Sequence, residues 1–304
     1  MQPNTNLLLH AVPGFILLFI TETVLLVKEH NFKLHKKDLP ASFWLGIGFL
    51  ISSFIGKSMI IFFYSLIYNY RIFNFDSIKW YIWVFCFLAE DLTYYWFHRI
   101  SHTVRFFWAS HVVHHSSEVY SYAAAFREGW TGVFTGVFLF WAWMPLAGIE
   151  PGIVIFIKSI SSIYQFWLHT EKIKKMPRWF EFIFNTPSHH RVHHGSDLVY
   201  LDKNYAGILI VWDRIFGTYE KEIFKPHYGL TKKMSSANPV KIAFFEWINL
   251  FRDIKKAKGM TDLCSYLFKA PGWSRDGKSK TTRELRGLTS VKAVENEVLI
   301  CKPE

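Results

Sequence analysis

Five apolar blocks, near residues 7–27, 42–69, 79–97, 130–148 and 152–168, leave this chain few ways to fold. At about 1.5 Å of rise per residue, a helix of each length approaches or spans the roughly 30 Å hydrocarbon core of a bilayer. The expected class is therefore all-α, as a polytopic membrane helical bundle. No basic region precedes the first block, and it runs longer than the apolar core of a cleavable leader, which predicts a retained anchor.

The net charge of +11 is uneven: +2 before residue 170 (11 basic, 9 acidic) and +9 after it (24 basic, 15 acidic). Basic loops stay on the cytoplasmic side. With five spans, the loop carrying Lys28, Lys33, Lys36 and Lys37 then lies inside, and the Arg71–Lys79 and 148–152 turns outside. His169 and everything after it face the cytoplasm. No nucleic-acid motif accompanies the basic excess, and a tail facing anionic lipid accounts for it. Cys86, Cys264 and Cys301 form no CxxC pair and no disulfide framework. Residues 231–260 carry one amphipathic pattern, which fits either an interfacial helix or one packed on the rest of the protein. From about Ala270 the tail reads as weakly structured.

Eight of the fourteen histidines fall into three clusters: His98 and His102; His111, His114 and His115; His190, His193 and His194. Spacings of three and four place side chains on one helix face, so each cluster is expected to aim two or three imidazoles at one spot. Eight ligands are too many for one ion, which implies two metals. His169, at the end of the last block, is expected as a ninth ligand, and His189 as either a ligand or a neighbour of one. His10, His30, His35 and His227 lack partners. HxxxH alone also occurs in zinc peptidases, but their glutamate position is Arg99 here, so that chemistry is excluded. No cysteine lies near the clusters, and four or five nitrogens per ion leave positions open for oxygen species, which suits iron better than structural zinc.

Asp91 lies seven residues before His98, on about the same helix face, and is expected to accept a hydrogen bond from a ligand histidine. Lys57 and Lys158 are expected to snorkel or to pair with an acid. Arg99, Arg105 and Arg127 are expected near an anionic lipid head group.

The segments 90–102 (EDLTYYWFHRISH), 111–118 (HVVHHSSE), 165–171 (QFWLHTE), 185–195 (NTPSHHRVHHG) and 202–217 (DKNYAGILIVWDRIFG) resemble the fatty acid hydroxylase/sterol desaturase superfamily, and within it the alkylglycerol monooxygenases. The resemblance implies a cytosolic helical cap holding two iron ions, with His98, His102, His111, His114, His115, His169, His190, His193 and His194 as ligands. It also implies O2-dependent hydroxylation of a membrane lipid (ether lipid, fatty acyl, sterol-like or aminolipid), with desaturation at the same site as the alternative. The electrons would come from an external donor, either tetrahydrobiopterin or a cytochrome b5/ferredoxin-type protein. Thr103 departs from the glutamate that follows the first box in the alkylglycerol monooxygenase pattern and is linked there to pterin use. The expected organisation is membrane-anchor helices over 1–78, a catalytic domain over 79–230 and a basic cytosolic region over 231–304.

Overall fold

The computed structural model describes residues 7–28, 32–76, 79–232, 234 and 236–288, and no β-strand occurs among them. Two helices, α1 (Leu7–Lys28) and α2 (Phe32–Tyr68), are long and apolar enough to cross a membrane. The third block forms α3 (Trp80–Thr103), which ends at one extended residue, Val104 (φ −120°, ψ 115°). The chain doubles back there into α4 (Arg105–His111), so the first two histidine clusters face each other. A 3-10 turn (His114–Ser116) and the short α5 (Tyr122–Ala125) follow.

The fourth block is not the single span that its apolarity suggested. It breaks into 3-10 turns at Val133–Thr135 and Val137–Trp141, then α6 (Trp143–Ala147). Gly136 (φ 76°) and Gly148 (φ 115°) take left-handed conformations that interrupt a helix. A side chain at Gly148 would also collide with the Phe73 carbonyl. The close approach lets Ile72 and Phe73 donate their backbone N–H groups to Leu146 and Ala147. Residues 72–73 and 146–148 thus meet at one end of the molecule. From that end α3 and α7 (Pro151–Trp167) run toward the histidines.

Tyr64 of α2, Cys86 of α3, Trp141, Met144 and Ile153, Val154 and Ile157 of α7 share one buried core. Glu22 ties α1 to the same unit: its carboxylate accepts from Tyr122 N at 2.6 Å and from the Thr170 hydroxyl. The remaining elements are α8 (Arg178–Ile183), α9 (Pro187–His193), α10 (Val211–Ile215), α11 (Pro239–Ile254) and α12 (Met260–Phe268). Of the two placements open for the amphipathic stretch, α11 takes packing on the protein: Ile242 and Ala243 lie against Ala41, Leu45, Val112 and Val113. Arg105 fixes it by bonding Glu246 and Asp253, each at 2.8 Å. Val240, Phe244, Ile248 and Phe251 remain exposed. The tail is better ordered than its composition suggested, because 282–288 is helical and Arg286 donates to the Leu198 carbonyl. Cys301, His30 and residues 289–304 lie outside the described residues.

Candidate metal centre

The structure brings nine histidines into two adjacent groups. His98, His102, His111, His115 and His193 form one; His114, His169, His190 and His194 form the other. Within each group, the potential ligand atoms all lie within 4.8 Å of one another. The groups touch, since the His115 and His194 rings stack with centroids 4.3 Å apart.

Each HxxHH cluster divides between the groups instead of converging on one spot. Residues four apart on a helix differ by about 40° around the axis, whereas neighbours differ by about 100°. His190 and His194 therefore stay together, and His193 turns to the other group. His111 and His115 likewise pair while His114 crosses over, helped by the change from α4 to a 3-10 turn at His114.

The outer ring nitrogens are held by backbone carbonyls. His98 Nδ1 donates to Tyr205 O at 2.8 Å, His114 Nδ1 to Arg127 O at 3.2 Å, His169 Nδ1 to Gln165 O at 3.0 Å and His193 Nδ1 to Lys203 O at 3.0 Å. A proton on Nδ1 leaves Nε2 as a bare lone pair. The Nε2 atoms of His169 and His114 nevertheless face each other at 3.2 Å, with neither ring free to donate. His102, His115 and His193 have buried Nε2 atoms with no partner. Clustered lone pairs without donors are costly alone and stable around a cation, so these residues fit metal ions. Burial, reinforced for the last three by neighbouring imidazoles, pushes His114 down to about 4 and holds His190, His193 and His194 well below the usual range. All four are neutral at pH 7, the form that binds metal.

His189, the tenth candidate, is not brought into either group. It is turned about 100° from His190, and its Nδ1 pairs with the Thr186 hydroxyl at 3.3 Å while its ring meets Tyr219. Asp91 does not accept from a histidine, contrary to expectation. Its oxygens accept from Ile208 N (2.8 Å), Leu209 N (3.0 Å) and Trp212 Nε1 (2.9 Å). Gly207 permits this approach, because a Cβ there would lie 2.9 Å from Tyr94 and 3.1 Å from the Asp91 carboxylate. A second clamp on the same loop, which no motif announced, is Asp213, which accepts from Tyr205 N and Ala206 N, each at 2.8 Å. The two acids fix the segment whose Tyr205 carbonyl orients His98. They act one step further from the histidines than expected.

Of the three arginines expected at a head group, Arg105 and Arg127 are paired with acids. Arg105 holds α11. Arg127 is 2% exposed and bonds Ser42, Ser116 and, at 2.9 Å, Asp38. Arg99 donates to the Tyr95 hydroxyl at 3.1 Å.

Residues 83–218 match the fatty acid hydroxylase family. The chain is 41% identical over 224 residues to the alkylglycerol monooxygenase of Homo sapiens, covering 72% of this chain and 49% of that protein. It is 37% identical over 269 residues to the Danio rerio alkylglycerol monooxygenase (87% and 59% covered). Against that of Caenorhabditis elegans it is 33% identical over 264 residues (85% and 50%). The chain thus spans about half the length of the curated relatives it matches. No solved structure matches it.

Proposed function

Residues 83–218 belong to the fatty acid hydroxylase family, and on that premise we propose that the protein is a membrane di-iron oxygenase that hydroxylates a lipid. The reaction consumes R–H, O2, two electrons and two protons and yields R–OH and water. The observation that carries this reading is the pair of adjacent histidine groups, five and four, with inward lone pairs fixed by carbonyl acceptors. Iron held by these nine histidines supplies the oxygen activation needed to break an aliphatic C–H bond, which no side chain can provide.

The chain's own residues do the rest. The Tyr205, Lys203, Arg127 and Gln165 carbonyls hold ring orientation, and Asp91 and Asp213 keep the 204–212 segment from shifting. Eight of the nine imidazoles are buried, which excludes bulk water from the reacting atoms. We assign the electrons to an external donor, tetrahydrobiopterin or a cytochrome b5/ferredoxin-type protein. Alkylglycerol monooxygenase relatives favour a lipid with a polar head as substrate.

In the membrane, α1, α2, α3, the broken 130–148 segment and α7 traverse the bilayer in turn. The histidine end and the basic C-terminal region then form a cap on the cytoplasmic side, by the count of basic residues. Residues 1–78 act as anchor, 79–230 as the catalytic unit and 231–304 as its basic flank.

The test combines metal analysis with lipid profiling. The purified chain should carry close to two ions, and cells expressing it should gain a lipid 16 Da heavier than its precursor. His114→Ala and His193→Ala should each lose metal and product while remaining in the membrane. Full turnover in both variants would rule out the site; a product 2 Da lighter would replace hydroxylation by desaturation.

A further inference from the structure

We propose that α11 lies in the lipid–water boundary on the histidine side, with one face on the protein and the opposite face in an anionic leaflet. The proposal rests on the membrane placement given above and assigns a partner to a surface which that placement leaves bare.

At about 100° per residue, the sixteen residues of α11 sort into distinct faces. Ile242, Glu246, Leu250 and Asp253 look toward the protein: the two apolar side chains are buried, and the two acids hold Arg105. Val240, Phe244, Ile248 and Phe251 fall within about 40° of one line on the other side, and all four are exposed. Lys241 and Arg252 flank this row along one edge, turned from it by about 60–80°, and Lys255 extends it at the C-terminal end. A row of large apolar side chains beside a basic edge is the pattern of a helix lying in a membrane surface.

The packing of α11 fixes its depth. Ile242 and Ala243 contact Ala41 and Leu45 of α2, at the start of the apolar stretch Asp38–Tyr68. Trp130 joins the two helices: its indole donates to the Leu45 carbonyl at 2.9 Å, and its ring lies 6.2 Å from that of Phe244. Phe43 and Trp44, in the same turn of α2, are exposed aromatic residues of the kind that mark a membrane–water boundary. The bare row of α11 therefore stands where α2 enters the bilayer. α12 packs against α11 through Tyr266 and Leu250 and carries an exposed row of its own, Met260, Cys264 and Phe268.

Charge identifies the partner. The acids of residues 239–270 are Glu246, Asp253 and Asp262, and each is already paired, the first two with Arg105 and the third with Arg275 at 2.8 Å. Lys241, Arg252, Lys255 and Lys258 are exposed and have no ion pair among the described residues. Uncompensated positive charge beside an apolar row suits anionic head groups above acyl chains. It opposes a second copy of this chain, since two such faces would bring like charges together. The same helix grips Arg105 at the start of α4, and α4 carries His111. Docking of α11 thus holds the histidine groups at a set depth below the leaflet.

The test uses the full chain in nanodiscs of phosphatidylcholine with phosphatidylglycerol, on a Cys264→Ser/Cys301→Ser background in which Cys86 stays buried. A nitroxide is attached at Ile248→Cys or Arg252→Cys, both exposed positions, and its collisions with oxygen and with a water-soluble nickel chelate are compared. The label at 248 should meet oxygen and be shielded from nickel, and the label at 252 should meet nickel. Nickel-dominated collisions at 248 would place the row in water, and few collisions with either reagent would mean that protein covers it. A second measurement addresses the head groups: amide exchange across 239–256. Lys241→Gln/Lys255→Gln should lower the docked-to-lifted ratio by about fivefold per charge removed, seen as faster exchange. The parent protein in phosphatidylcholine alone should also exchange faster. Either collision result, or exchange indifferent to both the lipid charge and the double variant, would overturn the proposal. Failure of the membrane reading appears separately, as a chain released from cell membranes by an alkaline wash.

Discussion

Asp91 offers the sharpest test of how the centre is held, because its three bonds all go to the loop that orients His98. In Asp91→Asn one carboxylate oxygen becomes an NH2 group. With the amide carbonyl toward Leu209 N and Trp212 Nε1, the Ile208 N–H meets another donor and is left buried and unpaired. That orphan costs about 1–3 kcal/mol, and the two surviving bonds weaken as the charge disappears, so the local loss is about 2–4 kcal/mol. Its effect reaches the metal through one atom, the Tyr205 carbonyl that accepts from His98 Nδ1 at 2.8 Å. Loss of such a support typically weakens metal binding by ~10–100-fold. The four-histidine group should be spared, since its supports are the Arg127 and Gln165 carbonyls. Release of metal to a chelator should therefore split into a fast phase and a slow phase of about equal size, whereas the parent protein releases both ions slowly. Asp213→Asn should behave alike, because Asp213 holds the same Tyr205 from its N–H side. Unchanged release in both variants, at unchanged thermal stability, would refute the claim that the loop positions His98.

Two further outcomes follow from the geometry. His189→Ala should keep both ions and activity within about threefold of the parent, since its ring is tied to Thr186 and Tyr219 and not to the metal centre; loss of one ion by metal analysis would contradict this. Glu22→Ala leaves the buried Tyr122 N–H without its acceptor at a cost of about 1–3 kcal/mol, so α1 should become more accessible to protease while the histidine groups still fill.

The sequence made the helical class and the gathering of histidines legible, because both rest on short-range periodicity. It made partners legible poorly, because they lie far along the chain. Asp91 was recognisable as a buried acid at membrane depth, but its acceptor role toward Ile208 spans 117 residues. Arg105 and Arg127 looked available for a head group, yet the acids of Arg105 stand 141 and 148 positions away in α11, and that of Arg127, Asp38, stands 89 positions away in α2. The fourth apolar block misled for a different reason. Hydropathy sums side chains, whereas Gly136, Gly148 and Pro145 act on the backbone, and they break what reads as one continuous helix into short turns. Glu22 was passed over because the first block is apolar on average, although a single acid there has two specific partners.

The division of each HxxHH cluster between two groups follows from helix geometry once it is allowed that neighbouring imidazoles need not share an ion. It makes a prediction that a converging arrangement does not. His98 and His102 both serve the five-histidine group, so the double variant His98→Ala/His102→Ala removes two of five ligands there and none of the four. His190 and His194 both serve the other group, so their double replacement removes two of four ligands and leaves the five intact. Each double variant should therefore retain about one ion per chain, in different surroundings: bound cobalt should give two distinct absorption spectra. The pair His114→Ala/His193→Ala removes one ligand from each group and should lower affinity at both, with no site left at full strength. Were each cluster instead to serve a single ion, replacing His190 and His194 would give the same cobalt spectrum as replacing His193 alone. That equality would overturn the two-group assignment.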